Sequence, residues 1–172
     1  LILCLHTSYI LGNNKTLLNS IEKRKIEYSE IAKRIWEYAE VGYKEKKSSN
    51  ELITLLEKNG FKIRKGVAGI PTAFIAEYNN KGSVIGILGE YDALPGLSQT
   101  TDTKKTTRDG VQSGHACGHN LIAVASAAAA ISIKEWLDDC PTHKWEIQNC
   151  TENGIWISVR FYNQKEDDED NN

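Results

Sequence analysis

The longest apolar run in the chain, LIAVASAAAAISI over residues 121–133, stops at Lys134 and Glu135. It falls short of the roughly 20 residues a membrane span requires and reads instead as a buried helix over about Asn120 to Leu137. A buried helix needs apolar partners, and the rest of the sequence supplies them. FKIRKGV (61–67), TAFIAEY (72–78) and SVIGILGEY (83–91) are strand candidates separated by the turn chemistry of AGIP and NNKG, and WISVRFY (156–162) reads as another. Upstream, residues 15–40 carry a helical pattern with Ile31, Ile35 and Tyr38 on one stripe and Trp36 assigned to core packing. SSNELITLLEKNG predicts a second helix, with Ser48 and Glu51 as a capping box, Leu52, Leu55 and Leu56 as the apolar face and Gly60 as the C-terminal cap. Strand, loop, helix, strand is the order of an α/β domain, whose sites collect in loops at the carboxyl ends of strands.

With 172 residues, 40% of them hydrophobic, the chain can bury one core, as one globular domain or part of a larger one. Residues 1–18 are expected to be a poorly ordered lead-in, because His6 and Ser8 interrupt an apolar run already too short for a secretory core segment. Residues 19–172 form the domain. A formal net charge of -2 gives no electrostatic footprint for nucleic acid or an anionic membrane, and neither is expected as a partner. Four cysteines, one of them inside a ligand-rich motif, argue against a disulfide framework and for a reducing, cytoplasmic location. SQTTDTKKTTRDGVQS (98–113) is too hydrophilic for core and reads as a surface loop.

That loop leads into GHACGHN (114–120), where His115, Cys117 and His119 alternate. In an extended segment such residues leave the backbone on one side. Gly114 and Gly118 allow backbone angles closed to other residues, so the segment can curl around an ion. Thiolate and imidazole suit zinc and similar divalent metals, although a catalytic site needs further donors. A small buried cysteine in a tight turn and histidines that cap the following helix are the bland alternatives. Three donors of common parity outweigh them, with His115 the weakest. Glu90 and Asp92 emerge from the end of the apolar VIGIL strand, where a carboxylate can orient a metal-bound imidazole or ligate directly. The two readings balance for Glu90, and function is favoured for Asp92.

IGILGEYDALPGLSQ (85–99) followed by GHACGHNLIAVASAAAAISIKEWL (114–137) resembles the amidohydrolase branch of the M20 metallopeptidases, in particular the group typified by p-aminobenzoyl-glutamate hydrolase. The similarity runs upstream through IAKRIWEYAEVGYKEKKSSNELITLLEKNGFKI and GIPTAFIAEY and covers about residues 20–138. The resemblance implies an α/β fold, the N-terminal part of a Zn-peptidase-like three-layer catalytic domain with a central mixed sheet flanked by helices. A second, dimerisation domain would lie outside this chain, with a homodimer expected for the full-length protein. The family pattern implies that Cys117 and His119 bind a centre of two divalent metal ions, Zn or Mn, and that Asp92 supports it from behind a ligand. The implied substrate is a small-molecule amide or dipeptide: an N-acyl amino acid, an aminobenzoyl-glutamate-type conjugate or a small peptide.

The family's P-x-E-E motif has no clear counterpart. After SVRFY stands NQKEDDEDNN, in which Asp167 and Asp168, or Glu166 and Asp167 with a one-residue gap, occupy the corresponding place without the proline. CPTHKWEIQNCTENGI (140–155) is longer than the usual link. The 172 residues alone are therefore expected not to hydrolyse amides. Three other readings stand beside the enzyme: a degenerate relative that binds without turnover, a structural zinc site from Cys117, His119, Cys140, His143 and Cys150, and a Cys117 nucleophile activated by His119.

Overall fold

Strand β4 (Ile155–Phe161) holds the sheet together, with β2 (Phe74–Tyr78) antiparallel on one side and β3 (Ser83–Gly89) parallel on the other. With β1 (Lys62–Lys65) antiparallel to β2, the order is β1-β2-β4-β3 and the sheet is mixed. The computed structural model describes residues 15–79, 83–139 and 155–161. Its helices are α1 (15–22), α2 (Lys25–Tyr38), α3 (Lys46–Lys58) and α4 (His119–Asp138), which lies in the crossover between the parallel strands β3 and β4. The acidic residues expected to follow the last strand, Glu166, Asp167 and Asp168, fall outside the described residues, as do Cys140, His143 and Cys150.

The core lies between the sheet and the helices on one of its faces. Phe74, Ala76, Val159 and Phe161 point to that side, and the rings of Phe74 and Phe161 stack with centroids 4.6 Å apart. Ile31, Ile35, Leu52, Leu55 and Leu56 are buried against them, as their periodicity predicts, whereas Tyr38 is half-buried. Alanines at 123, 127 and 130 let α4 pack closely over the strands. At 20 residues, α4 is longer than the apolar run it contains, and by length and composition alone it matches a membrane span. Here Ala123, Val124, Ala127, Ala128, Ala130 and Ile131 of α4 are buried in the core. Val84 and Leu88 stand exposed on β3.

Two expectations are corrected. The helix over residues 15–40 is broken by a turn at Lys23 and Arg24 and ends at Tyr38. The Arg24 guanidinium donates to the Ser20 carbonyl at 3.2 Å, to Asn59 at 3.4 Å and to Glu135 of α4, and this tertiary anchorage overrides local periodicity. Residues 15–22 are helical, and Ser132 Oγ donates to the Leu17 carbonyl at 2.8 Å. The capping box does not form. Helix α3 starts at Lys46, and the N–H groups of Lys47 and Ser48 donate at 3.0 and 2.8 Å to the carboxylate of Glu40, which also accepts from Ser48 Oγ at 2.9 Å. A carboxylate makes the stronger cap, and Glu51 is instead held by Arg34 and Tyr38.

The other end of α3 closes as expected. Gly60, at φ +87°, lets its N–H reach the Glu57 carbonyl at 2.9 Å while Phe61 N–H reaches that of Leu56 at 3.0 Å, the paired bonds of a Schellman cap.

Candidate functional site

Two loops meet at the carboxyl end of β3. Past Gly89, Tyr91 is fully buried and its hydroxyl donates to the Thr72 carbonyl, which leaves Glu90 and Asp92 on the opposite side of the chain. Ala93 N–H donates to the Glu40 carbonyl at 2.8 Å. Leu94 and Gly114 then exchange two backbone hydrogen bonds, at 2.9 and 3.0 Å, and so clamp the DALP segment to the start of GHACGHN.

Gly114 permits this approach through its lack of a side chain. A Cβ there would lie 2.2 Å from the Leu97 carbonyl oxygen. Its φ is not in the left-handed region; only Gly118, at +73°, uses the backbone freedom expected of both.

The extended GHACGHN with three donors on one face is also corrected. Residues 115–118 form a turn, closed by Gly118 N–H to the His115 carbonyl at 3.1 Å, and α4 begins at His119. A turn abolishes the common parity. His115 Nε2 donates to the Ile35 carbonyl at 3.1 Å, and burial pushes its pKa down. Its Nδ1 is buried without a hydrogen-bond partner among the described residues. Cys117 is exposed and free at the tip of the turn.

His119, in the first turn of α4, sits between the two acids. Its Nδ1 is 2.8 Å from Asp92 Oδ1 and its Nε2 is 3.4 Å from Glu90 Oε2. A carboxylate only accepts, so the close Asp92 contact places a proton on Nδ1 and leaves the Nε2 lone pair outward. That lone pair faces Glu90, an arrangement that a cation between them would satisfy. A thiol two residues earlier in the chain and an imidazole oriented by a carboxylate are donors that suit a divalent metal of the zinc type. Among the described residues no group of three His, Cys, Asp or Glu side chains is placed to hold an ion.

Sequence reasoning misses Arg108 and misplaces Trp36. Trp36 is half-buried, with the Arg108 guanidinium 4.2 Å from its ring centre. Arg108 also donates to the carbonyls of Trp36 and Glu37, both at 3.0 Å, and so ties the polar loop to α2. A single arginine in a hydrophilic loop carries no signal of that contact.

No family model matches the chain. It is 42% identical over 121 residues to one subunit of the p-aminobenzoyl-glutamate hydrolase of Escherichia coli, covering 70% of this chain and 25% of that protein. The chain is a homologue of that hydrolase subunit over this stretch. It is also 34% identical over 118 residues to the mouse Xaa-Arg dipeptidase, covering 63% of this chain and 24% of the relative. It spans about a quarter of the length of these curated relatives. Among solved structures, a putative aminohydrolase from methicillin-resistant Staphylococcus aureus matches with a TM-score of 0.64 at 15% identity, over 86% of this chain and 34% of that one. A dinuclear metal-binding M20 peptidase from Bacillus subtilis matches with a TM-score of 0.59 at 19% identity, over 81% and 35%. These two likenesses concern the fold: a mixed α/β domain, of which the chain covers about a third of each neighbour.

Proposed function

We propose that this chain carries part of the centre of a metal-dependent amidohydrolase, with Cys117 and His119 as ligands in a site for two divalent ions, Zn or Mn, and Asp92 as the group that orients His119. The substrate would be an N-acyl amino acid, an aminobenzoyl-glutamate-type conjugate or a small peptide. The observation that carries the reading is the 2.8 Å contact of Asp92 with His119 Nδ1, which turns Nε2 outward as a lone-pair donor. When bound, the ions supply Lewis acidity toward a carbonyl and make water more acidic. The chain's own residues do the rest. Asp92 holds the Nδ1 proton, and Cys117 lies two residues before the start of α4, exposed and free to approach an ion.

The same reading extends to a cytoplasmic homodimer for the full-length protein and to no turnover by these 172 residues alone. Metal analysis of the full-length protein tests it. Metal content is expected to fall sharply in Cys117→Ser and in His119→Ala, and Asp92→Asn should weaken metal affinity or turnover about 10–100-fold. Unchanged stoichiometry in both ligand variants would refute the assignment.

A further inference from the structure

The polar side chains of GHACGHN divide into an outer and an inner pair. His115 and Asn120, the outer pair, turn to α2: His115 Nε2 donates to the Ile35 carbonyl and Asn120 Nδ2 to the Ala32 carbonyl, both at 3.1 Å. The inner pair has other surroundings, with Cys117 exposed and His119 between Asp92 and Glu90. Ala32 and Ile35 stand three apart in α2, so the two acceptors share one face of that helix. Both are buried in the core, and Asn120 is only 8% exposed. The Ile35 carbonyl already receives the Ala39 N–H at 3.2 Å, so the end of α2 does not need His115 to satisfy it. The effect of the bond falls on the turn.

Two such bonds do what one cannot. A single anchor leaves a turn free to pivot, whereas anchors on either side of it, both on one helix, fix its direction. The turn is closed within itself as well, by Gly118 N–H to the His115 carbonyl at 3.1 Å. Groups that orient metal ligands through hydrogen bonds set affinity nearly as strongly as the ligands do. Arg108 offers the comparison. It donates to the Trp36 and Glu37 carbonyls at the same end of α2, but from within the polar loop, upstream of the turn.

We propose that His115 and Asn120 are positioning residues, which staple both ends of the ligand turn to α2 and so set the relation of Cys117 to His119 before an ion binds. This rests on the metal-site reading and adds to it two residues that act through the ligands. Full-length protein, stripped of metal and titrated with cobalt(II), tests it without turnover, because the near-ultraviolet band of a thiolate–cobalt bond reports Cys117 directly. His115→Leu and Asn120→Ala should each weaken cobalt binding about 10–100-fold and diminish that band. His115→Gln should restore most of both, since the glutamine amide donates from the same reach but is a poor metal ligand. Arg108→Ala should lower the urea midpoint and leave cobalt affinity and band at wild type. Circular dichroism checks each fold, and Asn120→Ala carries the test should His115→Leu not fold. Wild-type affinity and band in both His115→Leu and Asn120→Ala overturn this proposal alone, as does His115→Gln binding no better than His115→Leu, or Arg108→Ala losing as much as they do. Wild type without saturable cobalt binding overturns the metal-site reading and the proposal with it.

Discussion

Replacing Gly114 by alanine should strike the junction of the two site loops. The new Cβ would lie 2.2 Å from the Leu97 carbonyl oxygen, 3.0 Å from its carbon and 3.2 Å from Ser98 Cα, all of them backbone atoms that no rotamer change can clear. Restoring ordinary contact requires a shift of about 1 Å. A shift of that size breaks the 2.9 and 3.0 Å hydrogen bonds between Leu94 and Gly114, at a net cost of about 0.5–1.5 kcal/mol each. Destabilisation of about 1–3 kcal/mol is expected from those bonds alone, before lost packing. Gly118→Ala provides the contrast: its left-handed φ costs about 1–2 kcal/mol, but no atom lies within 4 Å of the new methyl group. Urea unfolding gives the energies and amide hydrogen exchange gives the location. Gly114→Ala should lose protection at Leu94, and Gly118→Ala should retain it. Wild-type protection of Leu94 in Gly114→Ala would refute the reasoning.

Two further outcomes follow from side-chain contacts. Glu40→Ala removes the cap of α3 and should cost about 1–2 kcal/mol in urea unfolding, more than Ser48→Ala, which leaves the carboxylate on the helix N–H groups. The hydrogen bond from Arg24 holds the Glu135 carboxyl down at about 2, against 4.5 when unperturbed. Because the folded value is depressed, its stabilisation is complete above about pH 4.5 and is lost as pH falls toward 2. Urea midpoints between pH 2 and 7 should therefore fall less steeply on the acid side in Glu135→Gln, by about 1 kcal/mol after allowance for solvent screening.

Elements are legible where burial imposes a period. The α4 run, the alternation through β2 and the leucines of α3 all face one core, so sequence pattern and packing agree. The nearness of Asp92 and His119 is legible for a related reason, because a strand end and a helix start converge at the same edge of an α/β sheet. What escapes the pattern depends on distant partners. Arg24 turns the chain toward Glu135, 111 residues away, and Glu40 takes the capping role that local spacing gives to Ser48. GHACGHN misleads because alternation presumes an extended backbone, and the left-handed Gly118 bends it into a turn.

The clamp between Leu94 and Gly114 has a consequence for how such a chain can diverge. Together with the Ser98 N–H to Gln112 carbonyl bond at 3.2 Å, it forms a stem that closes the polar loop at its base. Insertions or deletions at the loop's tip, around residues 100–106, need not disturb the spacing of Asp92 and His119. The tip also bears Lys105, which lines a cavity beside Trp36 and His115. Descendants of this sequence can therefore exchange the residues at the loop's tip while the histidine and its carboxylate stay where they are.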